Sequence, residues 1–196
     1  MRRLMVVGAV LGLFVAACSS DPAELSGFVR TPFPDVSHAT LPDASVGGTD
    51  FAMQAPAGEI LVVYFGYTSC PDVCPTTLAD LRSALRKMGD DASRVKVAMA
   101  TIDPGRDTAD IITGYVQSFV PAAHALRTDD DSALRAAADT FGADYGVSIS
   151  DEGEYDVIHT AHLYAVDDAG QLQVTWPFGT EPEAIALDLD ILLRSE

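Results

Sequence analysis

The sequence predicts an α/β fold in which a central mixed β-sheet is flanked by helices. Two continuous apolar runs, residues 59–65 and 94–102, have the composition of strands buried on both faces. A segment with helical spacing lies between them, which indicates a strand–helix–strand unit and therefore parallel strands. A late pair of short strands and a closing helix add an antiparallel part to the sheet.

The predicted elements are separated by polar turns that contain glycine or proline. In chain order they are a hairpin within residues 36–53 that turns at Gly47-Gly48, the strand Glu59–Phe65, the helix Pro75–Met88, the strand Arg94–Ile102, the helices Asp107–Phe119 and Asp131–Phe141, the strands His162–Val166 and Leu172–Thr175, and a last helix opened by Thr180. This order predicts a thioredoxin-like sandwich. Ile111 is expected to face the core, and Glu183 is expected to complete a capping box with Thr180.

The composition limits the possible partners. The chain of 196 residues has a formal net charge of −17, and its apolar fraction of 48% is sufficient for one full core. Because nucleic-acid binding requires a basic surface, this charge argues against it. We expect one domain and no nucleic-acid partner.

The N-terminus has the pattern of an export signal. Arg2 and Arg3 precede the apolar run Leu4–Ala17, which is short for a membrane span. The run ends in Val15-Ala16-Ala17-Cys18, which resembles a bacterial lipobox; an ordinary secretory signal is the alternative. We therefore expect a signal peptide at residues 1–17, a lipidated Cys18 with a tether over 18–35, and a domain over 36–196. This predicts a cell-membrane protein, lipid-anchored on the extracytoplasmic face.

Two cysteines remain once Cys18 is assigned to lipidation. Outside the cytoplasm, Cys70 and Cys74 could form a structural disulfide, a redox couple or a metal site. A disulfide would close a loop of about five residues and gain little unfolded-state entropy. Because both thiols lie where a buried strand meets the start of a helix, both are expected to have a low pKa.

The spacing of the two cysteines favours a metal. Three residues separate Cys70 from Cys74, whereas a thioredoxin-type redox pair has two. Two thiolates select Cu(I) or zinc, and an imidazole is a suitable third ligand for copper. Structural zinc usually takes four protein ligands, and no obvious fourth is present in the sequence. Copper is therefore the preferred ion.

Three ordered sequence blocks then resemble one protein family. They are Phe65–Pro75 (FGYTSCPDVCP) with the residues that follow it, Thr101–Thr108 (TIDPGRDT), and Tyr155–Tyr164 (YDVIHTAHLY) with the following Asp-Gly turn. Together they are similar to the Sco/SenC copper-binding proteins, which assist the assembly of cytochrome c oxidase. The resemblance covers about residues 30–195.

The resemblance implies a function and its residues. It implies that Cys70, Cys74 and His159 bind one copper ion, that Asp103 lies near the site, and that Asp72 contributes charge beside it. It also implies delivery of copper to the copper A centre of cytochrome c oxidase subunit II, or reduction of that subunit's cysteines to thiols. A copper donor and a thiol reductant outside the cytoplasm would be further partners. Neither role needs turnover of a small substrate, so we expect no enzyme.

The chain departs from the family pattern beside the ligand histidine. Ile158 occupies a place where the family often has aspartate, so it offers no carboxylate to His159. His162 is the alternative ligand, and a single strand would put it on the opposite face from His159. His38 and His124 are expected to be surface residues.

Other functions remain open from the sequence. Cys70 and Cys74 could serve a thiol–disulfide oxidoreductase, although no proline lies between Pro121 and Pro177, where such proteins place a cis-proline opposite the dithiol. The segment Asp72–Thr77 also resembles the peroxidatic loop of peroxiredoxins, which would make Cys74 a nucleophile. A copper or redox sensor is a further, non-catalytic possibility.

Overall fold

A computed structural model describes residues 24–149 and 155–195. In those residues the chain forms nine strands and four α-helices. In chain order they are β1 Thr40–Asp43, β2 Thr49–Ala52, β3 Ile60–Gly66, α1 Val73–Met88, β4 Val95–Thr101, α2 Ala109–Phe119, β5 His124–Leu126, α3 Asp131–Phe141, β6 Tyr145–Ile149, β7 Tyr155–His159, β8 Leu163–Val166, β9 Leu172–Trp176 and α4 Pro182–Ser195.

Seven of the strands form one mixed sheet, in the order β2-β1-β5-β4-β3-β8-β9. The three central strands β3, β4 and β5 run parallel, whereas β1, β2, β8 and β9 add antiparallel edges. Every residue of β3 is buried, as its continuous apolar sequence predicts. The predicted central mixed sheet flanked by helices is confirmed.

The helices cover the sheet with the faces that their sequences predict. Helices α1 and α4 pack against each other, α2 lies beside β5, and α3 lies beside β1. Ile185, Leu189 and Leu192 form the buried stripe of α4. One prediction was wrong: Ile111 is 47% exposed, whereas Ile112 and Val116 fill the core side of α2.

Three strands were missing from the prediction. Strand β5 has only three residues, too few for a period-two pattern to stand out. Strands β6 and β7 form a separate two-stranded sheet, the β6–β7 ribbon, in register from Tyr145↔His159 to Ile149↔Tyr155. Most residues of the ribbon are exposed, so it lacks the apolar run that reveals a buried strand.

Three predicted helix starts differ from the structure. Helix α2 begins at Ala109 rather than Asp107, and Thr108 is its N-cap. Helix α1 begins at Val73 rather than Pro75, so Cys74 lies within its first turn. Helix α4 begins at Pro182, and the predicted capping box does not form. The Thr180 hydroxyl donates to the Pro177 carbonyl, and the Glu183 carboxylate pairs with Lys87 at 2.6 Å.

The predicted signal peptide and Cys18 lie outside the described residues and stay predictions. Part of the predicted tether is described: the backbone N–H groups of Ser26 and Gly27 donate to the buried Asp188 carboxylate, and Phe28 pairs with Thr175. In the part of the chain that the structure describes, no helix has both the length and the apolar character required to cross a membrane.

Candidate metal centre

The two cysteines lie at the carboxyl end of the central sheet. Strand β3 ends at Gly66, which pairs with Thr101, the last residue of the parallel strand β4. Cys70 follows in the loop after β3, and Cys74 lies in the first turn of α1. The ends of parallel strands are where open α/β sheets place their ligands, and this topology brings two loops together there.

Gly66 leaves room for one of the sulfurs. A Cβ at this position would lie 3.1 Å from the Cys74 Sγ and 2.5 Å from the Cε1 of the fully buried Tyr64. Since a Cβ essentially never approaches another heavy atom to 2.5 Å, any side chain here would displace the Tyr64 ring or the helix start. Glycine therefore allows Cys74 to lie directly against the end of β3.

The two thiols are electrostatically different. Burial acts to raise the pKa of Cys70, but hydrogen bonds to its sulfur, including a backbone N–H of Cys74 at 3.3 Å, hold that pKa below its ordinary value. Burial raises the pKa of Cys74 to about 12, and the neighbouring Cys70 adds to the effect. The expectation of two low pKa values is thus right for Cys70 and wrong for Cys74, because full burial outweighs the helix start.

His159 approaches the cysteines from the end of β7. Its Nε2 lies 3.6 Å from the Cys74 Sγ, and its Nδ1 lies 3.3 Å from the Thr160 carbonyl oxygen. Because a carbonyl can only accept, this contact favours a proton on Nδ1 and leaves the Nε2 lone pair facing the sulfur. Burial lowers the pKa of His159, which favours the neutral imidazole that binds metals.

The three side chains converge on one point. The two Sγ atoms and a ring nitrogen of His159 all lie within 4.8 Å of one another. For metal–sulfur and metal–nitrogen bonds of about 2.3 and 2.0 Å, a shared ion separates sulfur from nitrogen by about 3.5–3.7 Å, which the Cys74–His159 distance of 3.6 Å matches. Within residues 24–149 and 155–195, no other three His, Cys, Asp or Glu residues come together in this way.

Comparison with known proteins shows the family of this chain. A family model described as SCO1/SenC matches residues 44–194, which is most of the chain. This chain belongs to the SCO1/SenC family. The SCO2-like protein of Rickettsia prowazekii (strain Madrid E) is 29% identical over 116 residues, which make up 58% of this chain and 56% of that protein. The chain spans a little over half the length of such curated relatives.

Solved structures of the family share the fold. The copper-bound ScoI of Bradyrhizobium japonicum is 31% identical, with a TM-score of 0.65 over 78% of this chain and 95% of that one. The apo Sco1 of Thermus thermophilus, solved in solution, is 29% identical, with a TM-score of 0.72 over 86% and 96% of the two chains. These matches confirm the thioredoxin-like fold predicted from the order of elements.

Two aromatic rings contact the histidine of this SCO1/SenC protein. The rings of Tyr64 and Tyr67 meet the His159 ring edge-on, with centroids 6.2 and 5.8 Å away. Tyr64 is fully buried and Tyr67 is 8% exposed, so together they cover part of the imidazole, while His159 itself stays only partly buried. Phe65 packs instead on Phe141 and Tyr164 in the core.

The two predicted acidic neighbours differ in position. Asp103 is buried in the turn after β4, where its carboxylate accepts a hydrogen bond from the Arg106 guanidinium. Asp72 is exposed between the two cysteines, and its nearest partner is the Thr76 hydroxyl at 3.4 Å. Neither carboxylate joins the group of possible metal ligands.

Sequence reasoning missed Asp107, which it treated only as the first residue of a helix. The residue is fully buried and accepts from the Thr68 backbone N–H at 3.0 Å, the Thr68 hydroxyl at 2.5 Å and the Thr101 hydroxyl at 2.6 Å. It thereby ties the cysteine loop to the end of β4. Asp107 belongs to the second sequence block that resembles the family, and that position was the signal that could have identified it as a residue of the site.

The other histidines lie elsewhere. His162 precedes β8, so the assumption that it shares a strand with His159 was wrong; its ring packs near Tyr164. His38 is exposed, as expected. His124 is not a simple surface residue, because its Nδ1 lies 2.7 Å from the buried Asp43 carboxylate. Ile158 is 67% exposed.

Proposed function

We propose that this protein is a copper metallochaperone that holds one copper ion through Cys70, Cys74 and His159. The observation that carries the proposal is the convergence of two sulfurs and one imidazole at the end of the sheet. Thiolates are soft ligands that select Cu(I), and imidazole suits either oxidation state of copper. With no fourth protein ligand in the described group, the site is a poor match for structural zinc.

The relatives support copper as the ion. The ScoI protein of Bradyrhizobium japonicum, at 31% identity, was solved with copper bound. Its alignment extends over 78% of this chain, so the whole thioredoxin-like domain is shared and not only one motif. Because this chain belongs to the same family, we assign copper as the ion that it binds.

The unequal exposure of the three ligands is suited to a copper ion that is transferred to another protein. Cys74 is fully buried and held by helix α1, whereas Cys70 is 9% exposed in the loop and His159 is only partly buried. An incoming thiol can therefore approach from the side of Cys70 and His159. Ligands would then exchange one at a time, with Cys74 released last.

We infer that the acceptor is the copper A centre of cytochrome c oxidase subunit II, as the family resemblance implies. Delivery requires reduced thiols on both proteins, so a copper donor and a thiol reductant outside the cytoplasm complete the scheme. The lipobox-like residues before Cys18 would anchor the protein on the extracytoplasmic face of the cell membrane. No step needs turnover of a small substrate, so we assign no enzymatic activity.

A second role is thiol–disulfide exchange with the acceptor. Cys70 is the more accessible sulfur, and the backbone N–H of Cys74 donates to it at 3.3 Å, which stabilises a thiolate. Attack by Cys70 on an acceptor disulfide forms a mixed disulfide, which Cys74 resolves. The protein dithiol is oxidised to a disulfide, and the acceptor gains two electrons and two protons.

Copper loading tests the proposed function. The purified, reduced protein should bind about one copper per chain, and its Cu(II) form should show thiolate-to-copper charge-transfer absorption. The variant Cys70→Ser should lose that absorption, while Cys18→Ser should retain it. A protein that binds no copper under these conditions would refute the proposal.

A deletion strain separates the two roles. If delivery is the main role, added copper should restore oxidase activity to the strain. Restoration by an added thiol reductant but not by copper would instead assign thiol exchange as the main role.

A further inference from the structure

The turn after β4 forms a rigid base beside the metal site. The backbone N–H groups of Arg106 and Asp107 both donate to the Asp103 carbonyl, at 3.1 and 3.0 Å. The Arg127 guanidinium donates to the carbonyls of Asp107 and Pro104, at 2.8 and 3.0 Å. With the buried Asp107 carboxylate also fully engaged, residues 103–107 have little freedom to move.

Arg106 extends from this base to both halves of the site. Its guanidinium donates to the buried Asp103 carboxylate, which fixes the direction of the side chain. The guanidinium carbon lies 4.2 Å from the ring centroid of Tyr155 on the ribbon and 5.8 Å from that of Tyr67 in the cysteine loop. One cation thus contacts the segment that carries the thiols and the strand that carries the histidine.

The two ends of the β6–β7 ribbon are held differently. Its histidine end is held where Asp144 and Thr160 exchange hydrogen bonds and where the Tyr145 hydroxyl donates to Asp131. Its far end, at Tyr155, belongs to a sheet of two strands, which is marginally stable alone. Tyr155 shares a strand face with His159 four residues on, so a shift of this face moves the imidazole.

We propose that Arg106 is a positioning residue that fixes the β6–β7 ribbon, and with it His159, against the cysteine loop through its contacts with Tyr155, Tyr67 and Asp103. The inference rests on the proposed copper function and adds the device that holds the third ligand in place. Arg106 does not itself touch the ion. The planar guanidinium is required because it can stack on rings and pair with a carboxylate at the same time, which a lysine ammonium cannot do.

This role affects the two oxidation states of copper unequally. Two thiolates are sufficient ligands for Cu(I), whereas Cu(II) gains from the imidazole nitrogen. A loosened ribbon should therefore weaken Cu(II) binding and leave Cu(I) binding nearly unchanged. A mere loss of folding stability would weaken both equally.

The experiment compares four variants of the purified protein. Arg106→Lys keeps a charge beside Asp103 but removes the stack, and Tyr155→Ala removes the ring without touching Asp103. Tyr155→Phe keeps the ring. Arg82→Lys is the matched control, since Arg82 stacks on Phe119 at 5.7 Å between α1 and α2. The measurements are Cu(I) and Cu(II) affinity by chelator competition, and amide hydrogen exchange of β7 and β3 in the metal-free protein.

The expected result is selective. Arg106→Lys and Tyr155→Ala should each lower Cu(II) affinity about tenfold, the scale of changes in groups that orient a metal ligand. They should change Cu(I) affinity less than about threefold and accelerate exchange in β7 but not in β3. Tyr155→Phe and Arg82→Lys should behave as the unmodified protein.

Two results would overturn the inference. One is unchanged Cu(II) affinity and unchanged β7 exchange in Tyr155→Ala. The other is an equal loss of Cu(I) and Cu(II) binding with faster exchange in β3 as well, which would make Arg106 a residue of general stability. If the unmodified protein binds no copper, the proposed function fails, and hydrogen exchange in the metal-free variants alone decides the role of Arg106.

Discussion

Very little space surrounds the Cys74 sulfur. The side chain is fully buried, and Gly66 is the residue that allows it to lie against the end of β3. The same burial makes the two thiols differ in pKa. The pKa of Cys70 lies below its ordinary value, and the pKa of Cys74 lies above it. The sequence predicts where the cysteines lie relative to a strand and a helix, but burial is a tertiary property, so the pKa of Cys74 could not be predicted.

Replacing Gly66 by Ala should damage the site through overpacking. The new Cβ would lie 2.5 Å from the buried Tyr64 ring, so we expect a loss of about 1–3 kcal/mol in the free energy of unfolding, together with weaker copper binding. Urea denaturation and copper titration measure the two effects. Gly114→Ala in α2 is the control, because its Cβ would meet no atom within 4 Å and should be neutral or slightly stabilising. Equal behaviour of both variants would contradict the steric argument.

At the scale of the secondary-structure elements, the loops that follow β3 and β4 lie side by side at the metal site. Asp107 joins these loops, because its carboxylate accepts from Thr68 on one side and Thr101 on the other. The long buried strands and the helices between them were predictable from their periodicity. The β6–β7 ribbon that carries His159 was not, because its exposed residues give no apolar pattern and its position depends on contacts with distant residues such as Arg106.

Removal of the Asp107 carboxylate should loosen the cysteine loop. Asp107→Ala leaves three donors without their acceptor, so we expect a loss of about 2–4 kcal/mol in the free energy of unfolding. Hydrogen exchange at the Thr68 amide should also accelerate. Asp110→Ala removes an exposed carboxylate in the first turn of α2 and should cost less than about 1 kcal/mol. If the Thr68 amide exchanges equally slowly in both variants, the link does not hold the loop.

At the scale of the whole molecule, another buried carboxylate joins the neighbouring strands β1 and β5. Asp43 in β1 accepts from Ser45 and from the Ala125 N–H, and lies 2.7 Å from His124 Nδ1 in β5. Burial acts to raise the pKa of Asp43, but these hydrogen bonds outweigh it and hold the pKa below its ordinary value. The sequence did not indicate this pair, since the strand β5 was itself too short to predict.

This pair predicts an acid-sensitive part of the folding stability. A carboxyl with a lowered folded-state pKa stabilises the fold above its unfolded pKa, near 3.8, and the contribution is lost as the pH falls through the folded value. Asp43→Asn should therefore reduce the difference in unfolding free energy between pH 6 and pH 2.5. Urea titrations at both pH values measure it. An identical pH dependence in the variant would show that Asp43 does not contribute to the loss of stability in acid.

The fold and the cysteine pair were predictable because apolar periodicity and residue spacing are local properties of the chain. The assignment of the third ligand depends on residues that are distant in the sequence. His159 lies 85 positions from Cys74 and reaches it through the β6–β7 ribbon. A paired titration tests that assignment most directly. His159→Ala should lower Cu(II) affinity at least about tenfold, while His162→Ala should retain the affinity of the unmodified protein. If His162→Ala loses the ion and His159→Ala keeps it, the central assignment is wrong.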